Sequence, residues 1–227
     1  MPDVLATEEK PLAQRIVIVI DRSGSMMSIK DDVIGGVNSY ISNVVANLKE
    51  GTKCYVTIIY FETDVDVSCV DIPIEDFVPL TSDSYMPNGW TALYDALGYS
   101  INKGVSSELE CGKTLVVTMT DGHENSSKEF TRDGIQSLIK EKEATGSWTF
   151  IFLGADMDAA AASTTIGISA GNTRSYTKSS SAKMFAGLGI ATANFIQADP
   201  VGSTYSTQSF FDDAGVGEQD LLDSKTP

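Results

Sequence analysis

Apolar and polar positions along the chain follow two alternating patterns, one typical of buried strands and the other of amphipathic helices. The first apolar run, Ile16–Ile20, is continuous and β-branched, which predicts a strand buried on both faces, as in the middle of a parallel sheet. Further strands are predicted at Lys53–Phe61, Val65–Val70, Thr114–Thr120 and Trp148–Leu153, with a weak last strand at Gly167–Tyr176. The segment Val65–Val70 alternates and follows a polar turn, which favours an antiparallel edge strand.

Between these strands, apolar residues recur at intervals of three or four, the spacing of one helix face. The longest such segment, Met26–Leu48, is predicted to bury Ile29, Val33, Val37, Ile41, Val44, Val45 and Leu48. Shorter helices are predicted at Thr91–Ile101, Thr131–Glu143, an Ala-rich segment after Asp156, and Ser179–Phe195. This alternation predicts an α/β fold: a doubly wound, mainly parallel sheet with right-handed crossovers and one antiparallel edge strand.

The same patterns divide the chain into three regions. We expect a polar leader at 1–12, one domain at 13–197, and a Gly/Ser/acid-rich tail at 198–227 that is partly ordered by Phe210 and Phe211. The leader is acidic, unlike a signal peptide, and no apolar run approaches the roughly 20 residues that span a bilayer. We therefore expect a soluble, cytoplasmic protein with no membrane partner.

The charge of the chain excludes one large class of partner. There are 16 Lys and Arg against 31 Asp and Glu, a formal net charge of −15. A nucleic-acid surface needs clustered basic residues to displace phosphate counterions, so no nucleic-acid partner is expected. The excess of acid fits a protein that binds cations or meets a basic partner.

The cysteines do not indicate a zinc site. Cys54, Cys69 and Cys111 are widely spaced, no CxxC pair occurs, and His123 is the single histidine. We expect three reduced thiols. A bridge between Cys54 and Cys69, which flank the predicted hairpin, stays open at this point.

Oxygen-bearing side chains follow several predicted strands at the point where each strand ends. They are Asp21, Ser23 and Ser25 after the first strand, Thr91 in the loop before a helix, Asp121 after the fourth strand, and Asp156 after the fifth. In open α/β sheets, ligands bind at this carboxyl edge. Carboxylates and hydroxyls are hard ligands that suit Mg²⁺, Mn²⁺ or Ca²⁺ and not zinc. In a tight loop, residues two apart can turn toward one centre, and Gly24 lets the backbone bend.

These residues resemble a known motif. Asp21-Arg22-Ser23-Gly24-Ser25, then Thr91, then Asp121 within Thr120-Asp121-Gly122, is similar to the metal-ion-dependent adhesion site of von Willebrand factor A domains. The resemblance extends over about Ala13–Phe195 and implies that family's Rossmann-like fold. It implies a complete site for Mg²⁺ (or Mn²⁺ or Ca²⁺). The serines and the threonine would coordinate directly or nearly so, and the aspartates often through water.

The resemblance also implies a function. In that family a Glu or Asp of a protein partner completes the coordination shell, so the expected function is a non-enzymatic, divalent-cation-dependent binding module without catalytic residues. The lack of a signal peptide, cysteine framework or second module makes the chain similar to soluble prokaryotic or phage members, with virion association if it is phage-encoded.

Two alternatives of different classes stay open. One is a structural or assembly component, for example of a phage virion, in which the metal site is incidental. The other is a metal-assisted hydrolase or phosphotransferase with Asp21 as nucleophile. Ser23 argues against the second alternative, because such phosphotransferases usually carry an acid two positions after the nucleophile.

Three residues beside the motif each allow two interpretations. Arg22 would contact a partner's carboxylate or form an internal salt bridge. Trp90 would lie on the rim of the site or pack in the core. Asp95, one helical turn after Thr91, would support the site from behind or lie on the helix surface.

Overall fold

The computed structural model describes residues 12–105, 109–177, 180–198 and 208–213. Residues 1–11 of the predicted leader and most of the predicted tail lie outside these ranges. The strands are β1 (Ala13–Asp21), β2 (Cys54–Phe61), β3 (Val65–Pro73), β4 (Cys111–Thr120), β5 (Trp148–Ala155) and β6 (Thr173–Tyr176). The α-helices are α1 (Lys30–Asn47), α2 (Leu93–Asn102), α3 (Arg132–Glu143), α4 (Ala159–Thr165), α5 (Ser181–Gln197) and α6 (Phe210–Asp213).

The strands form one six-stranded sheet in the order β3-β2-β1-β4-β5-β6. Every neighbouring pair is parallel except β2 and β3, which are antiparallel, so the predicted fold class and its antiparallel edge strand are confirmed. In the middle of the sheet, Ile18 lies opposite Ile58 on one side and Val117 on the other. The strand order reverses between β1 and β4, and this reversal is the switch point at which α/β sheets bind ligands.

The continuous apolar run of β1 is explained by two separate cores. Ile16, Ile18 and Ile20 belong to the core that includes α1 and α5, whereas Val17 and Val19 belong to the core that includes α2 and α3. Both sets are fully buried. Because helices cover both faces of the sheet, a central strand has no polar face and loses the usual alternation.

The first predicted helix needs a correction. Residues Gly24–Ile29 form a 3₁₀ turn, and the α-helix begins only at Lys30. Val45, predicted on the buried face, is 39% exposed. Tyr40 is buried there instead, and its hydroxyl lies 3.1 Å from Thr192 Oγ1 of α5. Among the helices of the described ranges, none has the length and apolar character needed to cross a membrane.

The last predicted strand is also shorter than the pattern indicated. Only Thr173–Tyr176 pairs with β5, because Ala170–Asn172 forms a 3₁₀ turn before it. Beside this turn, Phe210 donates its backbone N–H to Asn172 Oδ1 at 2.8 Å. The rings of Phe210 and Phe211 are buried against the core. Both phenylalanines of the acidic tail therefore belong to the packed domain.

The three cysteines are free thiols. Across the β2–β3 hairpin, Cys69 lies opposite Ile58 and not opposite Cys54. The pairing of these strands therefore does not align the two cysteines for a disulfide. Burial raises the pKa of Cys54 to about 12, so this thiol stays protonated.

A buried ion pair fastens β3 to β1 at the end of the sheet remote from the predicted site. The Arg15 guanidinium donates to both carboxylate oxygens of Asp71, at 2.7 and 2.9 Å, and both side chains are less than a tenth exposed. Asp71 lies at a bulge with a positive φ of 47°. Its backbone N–H donates to Thr57 Oγ1 at 3.0 Å.

Candidate metal centre

The carboxylate of Asp21 is held at the end of β1 by two donors. Its Oδ1 accepts the Ser23 backbone N–H at 2.7 Å, and its Oδ2 accepts the Thr120 hydroxyl at 2.5 Å. The backbone carbonyl of Asp21 accepts the hydroxyl of buried Tyr85 at 2.6 Å. Because Asp21 is fully buried, these contacts fix its side chain in one orientation at the switch point.

The serines of the first loop reach the carboxylate that follows β4. Ser23 Oγ lies 3.1 Å from Ser25 Oγ, and the Ser25 hydroxyl donates to Asp121 Oδ1 at 2.6 Å. The sequence separates Ser25 and Asp121 by 96 positions, and the fold brings them together because β1 and β4 are neighbours. The carboxyl edges of these two strands therefore share one hydrogen-bonded cluster.

Thr91 comes from a third loop, which is fixed to the segment after Asp121. The Thr91 backbone N–H donates to Asn125 Oδ1 at 2.8 Å, and the Asn125 N–H donates to the Thr91 carbonyl at 3.0 Å. Asn125 is thus a positioning residue that the sequence analysis missed. No periodicity or spacing connects two residues 34 positions apart on separate loops.

Three of the predicted ligands, Thr91, Ser25 and Asp21, lie close to Gly122. A methyl group placed on Gly122 would lie 3.4 Å from Thr91 Oγ1, 3.7 Å from Ser25 Oγ and 3.9 Å from Asp21 Oδ2. Ser23 and Asp121 belong to the same group, because the Ser25 hydroxyl lies within hydrogen-bond distance of both side chains. We call these three hydroxyls and two carboxylates the cradle, and their hard oxygen atoms are of the type that fits a small hard cation.

The donor chemistry of this cradle is distinctive. Within the described ranges, no three His, Cys, Asp or Glu side chains converge as a metal cluster, so the hydroxyls are needed to complete any ligand set here. Burial raises the pKa of Asp21 to about 6, opposed by the hydrogen bonds from Thr120 and Ser23. Burial also raises the pKa of Asp121, opposed by the hydrogen bond from Ser25. A bound cation would favour the charged form of both carboxylates.

The structure decides between the two interpretations of Arg22 and of Trp90. Arg22 forms a salt bridge with Asp66 at 3.2 Å, approaches Glu62 at 3.8 Å, and lies 5.2 Å from the centre of the Tyr60 ring. Of its two predicted roles, Arg22 therefore has the internal salt bridge. Trp90 is 65% exposed, so it lies on the rim and not in the core.

Asp95 supports the site from behind through a loop. Its carboxylate accepts the backbone N–H groups of Lys128, Glu129 and Phe130, at 2.7 to 2.9 Å. Glu124 has a similar part, because it accepts the N–H groups of Tyr94, Ser126 and Ser127 as well as the Ser127 hydroxyl. Both acids organise the segment that carries Asn125.

Carboxylate and hydroxyl side chains from three loops come together at the switch point of a mostly parallel sheet in an α/β domain. The family model described as von Willebrand factor type A domain matches residues 16–187, and the chain belongs to this family. Domains of this family bind a divalent metal at this site and commonly mediate metal-dependent protein binding or adhesion. No curated protein sequence matches the chain.

Solved structures share the fold at low sequence identity. The von Willebrand domain of the type V pilus tip protein Mfa5 from Porphyromonas gingivalis is 11% identical, with a TM-score of 0.64 over 84% of this chain and 98% of that one. Proximal thread matrix protein 1 from the mussel byssus, with zinc in its adhesion-site motif, is 14% identical with a TM-score of 0.59. That match covers 80% of this chain and 48% of the mussel protein, so the chain spans about half of the mussel protein's length.

Proposed function

We propose that this domain captures an acidic side chain of a protein partner through a divalent cation held by Asp21, Ser23, Ser25, Thr91 and Asp121. The observation that carries the proposal is the cradle beside Gly122, where the Thr91, Ser25 and Asp21 oxygens all lie within 4 Å of one point. The three hydroxyls of this set carry no charge, and the aspartates of such sites often act through water, so a bound cation would keep positive charge for an outside ligand. When bound, the cation supplies positive charge and an open position for an outside carboxylate.

The ligand types favour Mg²⁺ or Mn²⁺ as the metal, with Ca²⁺ as a further possibility of the same chemistry. Because the protein is negatively charged, binding of an acidic partner depends on such a cation. At a net charge of −15, a partner's carboxylate is repelled by the domain as a whole. One pair of unit charges at about 4 Å contributes about 4 kcal/mol at an effective dielectric of 20, and a divalent ion roughly doubles that before desolvation. The cation therefore decides whether the partner binds.

The surroundings of the cradle favour a macromolecular partner. Three large apolar side chains lie exposed on the loops that form the site: Met27, Met86 and Trp90, which are 56%, 63% and 65% exposed. The loop that carries Met86 and Trp90 is tied to the first loop, since Gly24 N–H donates to the Gly89 carbonyl at 3.1 Å. Exposed apolar groups beside a polar centre are typical of protein interfaces.

The geometry of Asp21 supports binding over phosphotransfer. Both carboxylate oxygens are engaged by Ser23 and Thr120, and the side chain is fully buried. A nucleophilic aspartate would need an oxygen open to the substrate. We therefore propose a non-enzymatic role, in which the charge of Asp21 supports the cation directly or through water.

The test has two steps, of which the first concerns the metal. Titration calorimetry with Mn²⁺ and Mg²⁺ should show binding to the wild type and none to Asp21→Ala, with the circular dichroism spectrum unchanged. Weak binding by the wild type is expected, because the partner's carboxylate is missing. Equal metal affinity in Asp21→Ala would refute the site.

The second step concerns the partner. The immobilised domain should retain a partner in Mg²⁺ and release it in EDTA, and Thr91→Ala should abolish retention. Arg22→Ala is the matched control from the same edge, and it should weaken retention less because Asp66 and Glu62 already neutralise Arg22. A partner retained equally in EDTA and by Thr91→Ala binds elsewhere and contradicts the proposal.

A further inference from the structure

A cavity of about 300 Å³ opens directly beside the candidate metal centre. Its apolar lining comes from Leu93 of α2, from Ala161 and Ala162 of α4, and from Ile166. Leu93 and Ile166 are buried and form its floor. Gly122 belongs to both sites, because it lines this cavity and also borders the oxygen cradle. The cavity and the cradle are therefore neighbouring depressions on one surface.

The charges at the mouth of the cavity distinguish it from the rest of the surface. Glu124 lines the cavity, but its two oxygens already accept four hydrogen bonds from Tyr94, Ser126 and Ser127. Arg132 also lines it, and its one hydrogen bond among the described residues joins Nε to the neighbouring Asp133. The two terminal nitrogens of Arg132 make no hydrogen bond to the described residues, so they can donate to a ligand of the cavity.

We propose that this cavity receives one large apolar side chain of the partner segment whose acidic residue reaches the metal centre. The inference rests on the proposed function and names the partner's chemistry more closely. In an extended segment, alternate side chains share one face about 7 Å apart. A segment laid across Gly122 therefore carries its acid at one position and the apolar residue two positions away.

The size of the cavity supports a single side chain as the occupant. At about 300 Å³ it stands at the lower end of pockets that hold small molecules, and its floor offers few polar groups to orient one. A leucine- to phenylalanine-sized group buried there strengthens binding by about ten-fold or more. Arg132 adds positive charge beside the cavity and so attracts an acidic segment, while the acid itself lies at the metal centre.

The test uses a displayed library of random short linear peptides and the full chain. The library is bound to the immobilised protein in Mg²⁺, and bound clones are released with EDTA. We expect the released peptides to share an Asp or Glu with Leu, Ile, Met, Phe or Trp two positions away. A synthetic peptide of that sequence should then bind Ala161→Phe, in which the cavity is filled, at least ten-fold more weakly than wild type.

Matched controls separate the cavity from the metal centre. Ala160→Phe changes the neighbouring exposed residue of α4, which does not line the cavity, and should bind the peptide as wild type does. Both variants should retain wild-type Mn²⁺ affinity. If EDTA-released peptides carry an acid without the apolar residue, or bind Ala161→Phe normally, the cavity inference is wrong while the proposed function stands. If EDTA releases no peptides, both are wrong.

Discussion

The Thr120 hydroxyl donates a 2.5 Å hydrogen bond to Asp21 Oδ2, and this contact joins the ends of β4 and β1 at the candidate metal centre. Thr120 is fully buried, and its Oγ1 also accepts the Gly122 backbone N–H at 3.1 Å. The resemblance gives a ligand role to Asp121 but none to Thr120, the residue just before it, which orients the first carboxylate. Thr120 is therefore a positioning residue for the site.

Thr120→Val should weaken Mn²⁺ binding by about ten- to a hundred-fold, the usual effect of removing a partner that orients a metal ligand. The substitution keeps the side-chain shape but leaves Asp21 Oδ2 without its donor. Titration calorimetry measures the affinity, and the thermal midpoint in Mg²⁺ and in EDTA measures the linked stability.

Thr118→Val is the matched control, because Thr118 lies on the same strand and is equally buried. Its hydroxyl has no hydrogen-bond partner in the described part of the chain. We expect unchanged metal affinity and neutral or increased stability. If both variants lose the same metal affinity, the loss comes from changing β4 and not from removing the Thr120 hydroxyl.

Gly122→Ala should weaken metal binding at least ten-fold, about 1.4 kcal/mol. The added methyl group would contact Thr91 Oγ1 at 3.4 Å and Ser25 Oγ at 3.7 Å, and so occupy space beside the oxygens that are proposed to hold the cation. The measurement is again Mn²⁺ calorimetry. For comparison, Gly35→Ala in α1 meets no atom within 4 Å and should stabilise the fold by about 0.5–1 kcal/mol with unaltered metal affinity. If Gly122→Ala binds Mn²⁺ as tightly as the wild type does, the proposed position of the cation beside Gly122 is wrong.

Asp71→Ala should destabilise the protein by about 3–5 kcal/mol, because it removes the carboxylate that accepts two hydrogen bonds from the buried Arg15 guanidinium. Asp66→Ala is the control on the same strand. Asp66 is 60% exposed in its pair with Arg22, so its removal should cost no more than about 1 kcal/mol. Urea unfolding of both variants gives the comparison, and similar free energies of unfolding would refute the distinction.

Glu143 should make stability depend on pH. Burial raises its pKa to about 7 from an ordinary 4.5, and the hydrogen bond from Gln208 opposes the shift. Because the folded state binds this proton more tightly than the unfolded state, the stabilisation is fully present below pH 4.5. It is lost as pH rises through 7, with a total of at most about 3 kcal/mol.

Glu143→Gln should remove that loss, so its urea midpoint should fall less than the wild-type midpoint between pH 4.5 and 7.5. Glu141→Gln makes the same change of charge at an exposed position of α3 and should keep the wild-type profile. A Glu143→Gln profile parallel to the wild type would show that Glu143 does not cause the dependence.

The sequence by itself determined the fold class and the positions of most strands, and it predicted the residues of the candidate site. Strands such as Ile16–Ile20 are encoded by local runs of apolar residues, and the motif residues from Asp21 to Ser25 lie within one loop. Rules of α/β topology then bring strand ends such as Asp121 to the same edge. For these features, near neighbours in sequence carry the information.

Only the tertiary structure decided how that site is supported and what lies beside it. Asn125 holds Thr91, Asp95 fixes the loop at Lys128, and the cavity forms between Gly122 and α4. The exposure of Trp90 and Val45 depended on which elements pack against them. Each of these features joins residues far apart in the chain, through hydrogen bonds and packing that no local pattern of residue types encodes.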